Sequence, residues 1–170
     1  MERKTLEHGF GPFYRPDSRL LILGSFPSVK SREASFFYGH PQNRFWPVMA
    51  RLCREDTPRS LEQKEAFLAR NQIALYDVIE QCSIVGSSDS TIRDVVPADL
   101  TPILRDSQIE SRIFVNGGKA EALYQKHLYP ILQIRAMKLP STSPANAAYS
   151  LDRLVQLWGE QLYPILRRNL

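Results

Sequence analysis

A chain of 170 residues, 43% hydrophobic and 24% charged, is long enough to bury a sizeable core and reads as a single domain over residues 1–170. Its net charge of +4 permits an anionic partner without requiring one. No apolar run approaches the length of a membrane span and no basic-then-apolar leader opens the chain, so a cytoplasmic protein is expected. Two cysteines, Cys53 and Cys82, are too few and too far apart for a zinc knuckle, an iron–sulfur cluster or a disulfide framework.

Taken in order, residues 19–23 form a short aliphatic run and read as a buried strand. Residues 45–52 carry apolar side chains at helical spacing. Leu61–Arg70 (LEQKEAFLAR) reads as a helix opened by Ser60, with Gln63 at its third position. Residues 73–78 give a second strand, 98–104 a helix, 112–115 a third strand, 119–128 a helix and 131–139 a fourth strand. Residues 147–167 close the series as a helix with Leu151, Leu154, Val155, Leu157, Trp158 and Leu162 on one stripe. Strand and helix alternate, so the expected fold is a three-layer α/β/α sandwich around a short, mostly parallel sheet.

Ligands of such open sheets gather beyond the carboxyl ends of the strands. Three loops at those ends are rich in Gly, Pro and small polar residues: GSFPS from Gly24, NGG from Asn116, and LPSTSPAN from Leu139. None carries a Walker-type Gly-Lys-Ser/Thr or a full Gly-x-Gly-x-x-Gly, so neither a nucleotide cofactor nor a metal is expected.

Between the first two strands lies YGHPQNRFW, from Tyr38 to Trp46. GSFPS, YGHPQNRFW and LPSTSPAN, in this order on an alternating α/β pattern, resemble the uracil-DNA glycosylase superfamily. The resemblance runs from about Leu20 to Asn146 and is nearest to the hypoxanthine-DNA glycosylases. It implies a monomeric enzyme that flips a deaminated base (hypoxanthine, uracil or xanthine) out of DNA and hydrolyses its glycosidic bond.

The resemblance also distributes roles. Tyr38 matches the residue that stacks on the flipped base; the alternative is a tyrosine anchoring its loop. In most of the superfamily an Asn or Asp inside the first motif positions the attacking water. Phe26 stands there in this chain and is expected to line the base pocket or pack beneath it. In the hypoxanthine branch an asparagine of the second segment is implicated instead, here Asn43, which reads equally well as a helix N-cap. Tyr76 and Asp77 lie near the residue that reads the base edge, with plain packing as the alternative. His40 is a candidate donor to base or phosphate, and more readily a brace of its turn.

Ser143 and Pro144 match the Ser-Pro of a phosphate-gripping motif whose wedge position holds Ala145, with Asn146 beside it. Ser141 stands where uracil-specific enzymes begin that motif with histidine. Ser28, Gly117 and Lys119 complete the expected DNA contacts, and Lys30, Arg32 and Arg44 are further phosphate candidates. A non-catalytic sensor of damaged bases remains the second reading. An unrelated α/β hydrolase-like enzyme is disfavoured, because the chain has no Gly-x-Ser-x-Gly elbow and only three histidines, His8, His40 and His127.

Overall fold

The computed structural model describes residues 2–86 and 88–166 and contains two sheets. The elements in chain order are β1 (Arg3–Glu7), β2 (Leu20–Gly24), α1 (Val29–Ala34), α2 (Phe45–Cys53), α3 (Leu61–Arg70), β3 (Ile73–Asp77), β4 (Ile79–Val85) and β5 (Arg93–Pro97). They continue with α4 (Thr101–Arg105), β6 (Ile113–Asn116), α5 (Gly118–Leu123), a π turn over Tyr124–Leu128 that runs into α6 (Tyr129–Leu132), β7 (Met137–Leu139) and α7 (Leu151–Leu166).

The central sheet has the order β3-β2-β6-β7 and every pairing in it is parallel. Its middle strand, LLILG, is buried along its whole length, as a strand covered on both faces must be. Helices pack about this sheet in the three-layer α/β/α arrangement expected. Trp158 of α7, Phe45 of α2 and Phe67 of α3 are fully buried. Side chains of this kind contribute about 1.5–3 kcal/mol each by leaving water.

Register decides where the loops begin. Gly24 pairs with Asp77, Leu23 with Val115, and Asn116 with Leu139. All four strands therefore end on one line, and the loops that follow them leave from the same rim.

The second sheet is antiparallel, in the order β1-β4-β5. Only Val78 separates β3 from β4; its N–H donates to the Gly24 carbonyl while the Ile79 N–H donates to that of Ser25. The chain thus leaves the central sheet at Asp77 and folds the N-terminal strand over its end.

Three expected elements change. The strand at 131–139 shrinks to Met137–Leu139, because Ile131 and Leu132 belong to α6, which ends at Gln133 in the left-handed region with φ 57°. The helix at 98–104 starts later, at Thr101, with Pro102 in its first turn where the missing N–H costs nothing. The last helix begins at Leu151, behind a Ser150 hydroxyl that accepts from the Arg153 N–H; Arg167 lies outside the described residues.

Candidate active site

A cleft of about 480 Å³ opens at the rim where the parallel strands end. That is within the range of small-ligand sites. Gly24, Asp77 and Asn116 line it from the strand ends, Phe26, Tyr38, His40 and Asn43 from the loops between β2 and α2, and Thr142, Ser143 and Pro144 from the loop before α7. Lys30, Arg32, Lys119 and Asp89 also line it. GSFPS, YGHPQNRFW, NGG and LPSTSPAN therefore meet at one place.

Asn43 sits at the head of α2 and is held from two directions. Its Oδ1 accepts the Phe45 backbone N–H at 2.9 Å and the Thr142 hydroxyl at 2.8 Å. The Asn116 Nδ2 donates to Thr142 Oγ1 at 3.0 Å, and Asn116 Oδ1 accepts the Thr142 N–H at 3.1 Å. A backbone N–H can only donate, so the atom facing Phe45 must be the amide oxygen of Asn43. Its Nδ2 has no acceptor among the described residues and is left for whatever enters the cleft. Asn43 thus braces the chain as it enters α2, one residue before the N-cap Arg44, while lining the cleft.

Tyr38 has φ 54°, a left-handed conformation that is strained for a residue with a bulky side chain. Its neighbour Gly39 is pinned by an N–H to Ser31 Oγ bond of 2.9 Å. The Tyr38 ring stacks on Phe45, centroids 4.0 Å apart and planes 14° off parallel. Its hydroxyl is buried and makes no hydrogen bond of ordinary geometry among the described residues, although the Asn116 side chain lies close enough to act on it as a polar neighbour. Burial, and then the Asp77 carboxylate, push the phenol far above its ordinary range, so it stays neutral.

Asp77 hangs over Gly24: a Cβ placed on that glycine would lie 2.4 Å from Asp77 Oδ1 and 3.5 Å from the Tyr38 hydroxyl. The glycine is what lets three cleft groups converge. The other carboxylate oxygen, Oδ2, is 2.7 Å from Nε2 of His8. Phe26 lines the cleft and packs edge-on to His8, with the Arg32 guanidinium 6.0 Å from its ring centre.

Other expected residues fall differently. Tyr76 does not line the cleft; its hydroxyl bonds Glu80 and its ring lies 4.6 Å from that of His8. His40 lines the cleft and braces its own turn, with Nδ1 accepting from the Gln42 N–H at 3.1 Å. Ser28 caps α1, its hydroxyl accepting from the Ser31 N–H and donating to Ser31 Oγ. Gly117, at φ 95°, gives its N–H to the Leu139 carbonyl, so the amides of Gly118 and Lys119 are the free ones there.

Arg44 is not on the rim. Its guanidinium donates to the carbonyls of Ser143, Asn146 and Tyr149, clamping the last loop. Within that loop Ser143 Oγ accepts the Ala145 N–H and Asn146 Nδ2 donates to the Ser141 carbonyl, leaving Pro144 and Ala145 exposed at its crest. The Asn146 side chain is thus engaged within its own loop. Gly24, Asn116 and Thr142 stand in the three loops the sequence marks but carry no role of their own there, and His8 lies outside every motif; each has a partner distant in sequence.

A cleft beyond the carboxyl ends of a parallel sheet, lined by a carboxylate, an amide and a tyrosine, defines an α/β domain of the kind that holds its ligand at that rim. The profile of the uracil DNA glycosylase superfamily matches residues 12–160, and the chain belongs to that superfamily. It is similar to the hypoxanthine DNA glycosylase of Methanosarcina acetivorans, 31% identical over 152 residues that cover 87% of this chain and 93% of the relative. The hypoxanthine DNA glycosylase of Methanosarcina barkeri is also 31% identical, over 91% of this chain and 96% of its own. The solution NMR structure of a candidate uracil DNA glycosylase from Methanosarcina acetivorans superposes with a TM-score of 0.73 at 28% identity, covering 93% of this chain and 99% of that one.

Proposed function

We propose that this chain is a monofunctional DNA glycosylase that acts as a monomer on deaminated bases, with hypoxanthine preferred over uracil and xanthine. The observation that supports the reading is the engagement of the Asn43 amide: it lines the cleft, its oxygen is taken by Phe45 and Thr142, and its Nδ2 has no acceptor among the described residues. The curated relatives carry the name hypoxanthine DNA glycosylase. Phe26 and Ser141, where uracil-specific enzymes place polar and histidine side chains, argue for the same preference.

Extrusion would bring the base into the slot between Asp77 and the neutral Tyr38. As the C1′–N bond breaks, its electron pair moves to the base and positive charge builds on the sugar. An N–H of Asn43 Nδ2 can hold the attacking water by its oxygen lone pair, or receive the developing charge on the base. The amide accepts no proton, so the water loses its proton to solvent or to the departing base after its oxygen bonds C1′. Lys30, Arg32 and Lys119, which line the cleft, would steady the phosphates on either side. The exposed Pro144–Ala145 crest would fill the place left in the stack.

The test is a labelled duplex carrying one hypoxanthine, uracil or xanthine, incubated with the protein and then treated with hot alkali. Strand breaks at hypoxanthine, fastest of the three and only after alkali, are expected. Tight binding of damaged duplex with no base released would leave a non-catalytic sensor and end the enzymatic reading.

A further inference from the structure

His8 is a fully buried histidine just after β1, and its backbone N–H is tied to Glu80 of β4 by a 2.8 Å bond. Aromatic rings enclose it, with Phe10 at 4.5 Å, Tyr76 at 4.6 Å, Phe37 at 6.1 Å and Phe26 at 6.2 Å between centroids. Its Nδ1 is buried with no hydrogen-bond partner. An apolar side chain would fill such a cage without burying an unmet ring nitrogen. What an apolar residue cannot do is meet Asp77 Oδ2 at 2.7 Å.

The unmet Nδ1 indicates which nitrogen carries the proton. A lone pair without a donor is less costly to bury than an N–H without an acceptor, so the proton sits on Nε2 and is donated to Asp77. The carboxylate is then fixed through Oδ2, while Oδ1 lies over the bare Cα of Gly24 on the cleft side. A carboxylate held this way keeps Oδ1 as an acceptor.

That polarity matches the chemistry of deamination. Adenine has a lone pair at ring N1, and hypoxanthine has N1–H; cytosine has a lone pair at N3, and uracil has N3–H. A fixed carboxylate oxygen attracts the ring N–H and repels the lone pair. We infer that His8 is a positioning residue that locks Asp77 as an acceptor for the ring N–H of the extruded base. His8 would thereby tell hypoxanthine from adenine and uracil from cytosine, while xanthine and guanine, which both carry N1–H, would not be told apart in this way. The inference rests on the glycosylase reading and adds to it a residue on the far side of the carboxylate.

The experiment compares single-turnover base release from duplexes containing hypoxanthine or N1-methylhypoxanthine, whose ring donor is gone. The wild type should release hypoxanthine at least about tenfold faster than the methylated base. His8→Leu and Asp77→Asn should each erase that gap, and the double variant should be no slower than Asp77→Asn, as for residues acting as a unit. His8→Gln, whose amide N–H reaches the position of Nε2–H, should restore the gap. A folded His8→Leu that keeps it, or additive losses in the double variant, overturns the inference. Nitrogen-15 NMR of the wild type reads the same point without a variant, so loss of His8→Leu to misfolding leaves the question open to measurement. A proton on Nε2 and a bare Nδ1 are expected, and a proton on Nδ1 overturns it. If the wild type releases no base from either duplex, the glycosylase reading fails and this inference with it; release by a wild type whose His8→Leu behaves identically removes only the role of His8.

Discussion

The amide of Phe45 and the side chain of Asn116 between them leave Thr142 and Asn43 no rotational choice. Both inputs are donors, so the hydrogen-bond chain runs one way and ends on Asn43 Oδ1. Gly24 does similar work by being absent as a side chain. A methyl there would meet Asp77 Oδ1 at 2.4 Å, so Gly24→Ala must push the carboxylate from its place. Overpacking of this kind costs about 1–3 kcal/mol. We expect Gly24→Ala to melt earlier and to lose base release beyond what the stability change explains, checked by thermal unfolding alongside single-turnover kinetics. Tyr38, Asn43 and Phe26 were legible in the sequence because each stands inside a short motif. His8 was not, since its partner Asp77 is 69 positions away and nothing local marks the pair.

Among the elements, the loop from Pro140 to Ser150 owes its shape to residues outside it. Arg44 clamps three of its carbonyls, Trp158 donates to the Pro140 carbonyl at 2.8 Å, and Asn116 holds Thr142. A planar guanidinium can reach three acceptors in fixed directions and an ammonium cannot. Arg44→Lys should therefore destabilise the protein by about 1.5–3 kcal/mol, as for lost hydrogen bonds to a charged group. It should also slow base release, the first read by urea unfolding and the second by kinetics on the same sample. The sequence offers Arg44, inside YGHPQNRFW, as a phosphate candidate through its charge; only the fold reveals the carbonyls around it. The parallel strands were legible as short aliphatic runs. The second sheet was not: β4 reads IEQCSIV, half polar, and β5 reads RDVVP. An edge sheet with one wet face carries too weak a pattern to stand out. The overlong fourth strand arose because residues 131–139 are apolar enough for either state, and the turn at Gln133 has no glycine to announce it.

At the scale of the molecule, the end of α2 is tied to the end of α3 by Glu55, which accepts from Arg70 and Asn71. Burial works to raise the Glu55 carboxyl, but those hydrogen bonds and the Arg70 charge bring it below its ordinary value. A carboxyl depressed on folding stabilises the protein above its unfolded value, about 4.3, and that contribution is lost as pH falls through the folded value. Glu55→Gln should thus be less stable than wild type near neutrality and should converge with it in acid, as urea midpoints across pH will show; a constant gap at every pH would contradict this. The alternation of strand and helix made the central sheet legible, and with it the rim where its loops gather. What the sequence did not reveal is how the N-terminal strand reaches that rim, because β1 pairs with β4, 82 residues on in its outermost register, Arg3 with Val85.

On the glycosylase reading, Asn43 acts upon a base that the cleft has already received. Asn43→Ala removes the donor and leaves the phosphate contacts in place, so base release and DNA affinity should separate. On a hypoxanthine duplex under single-turnover conditions, release should slow by about 10²–10³-fold, the cost of losing one oriented donor, while the dissociation constant for the duplex stays within about threefold. Equal release by wild type and Asn43→Ala would contradict the account.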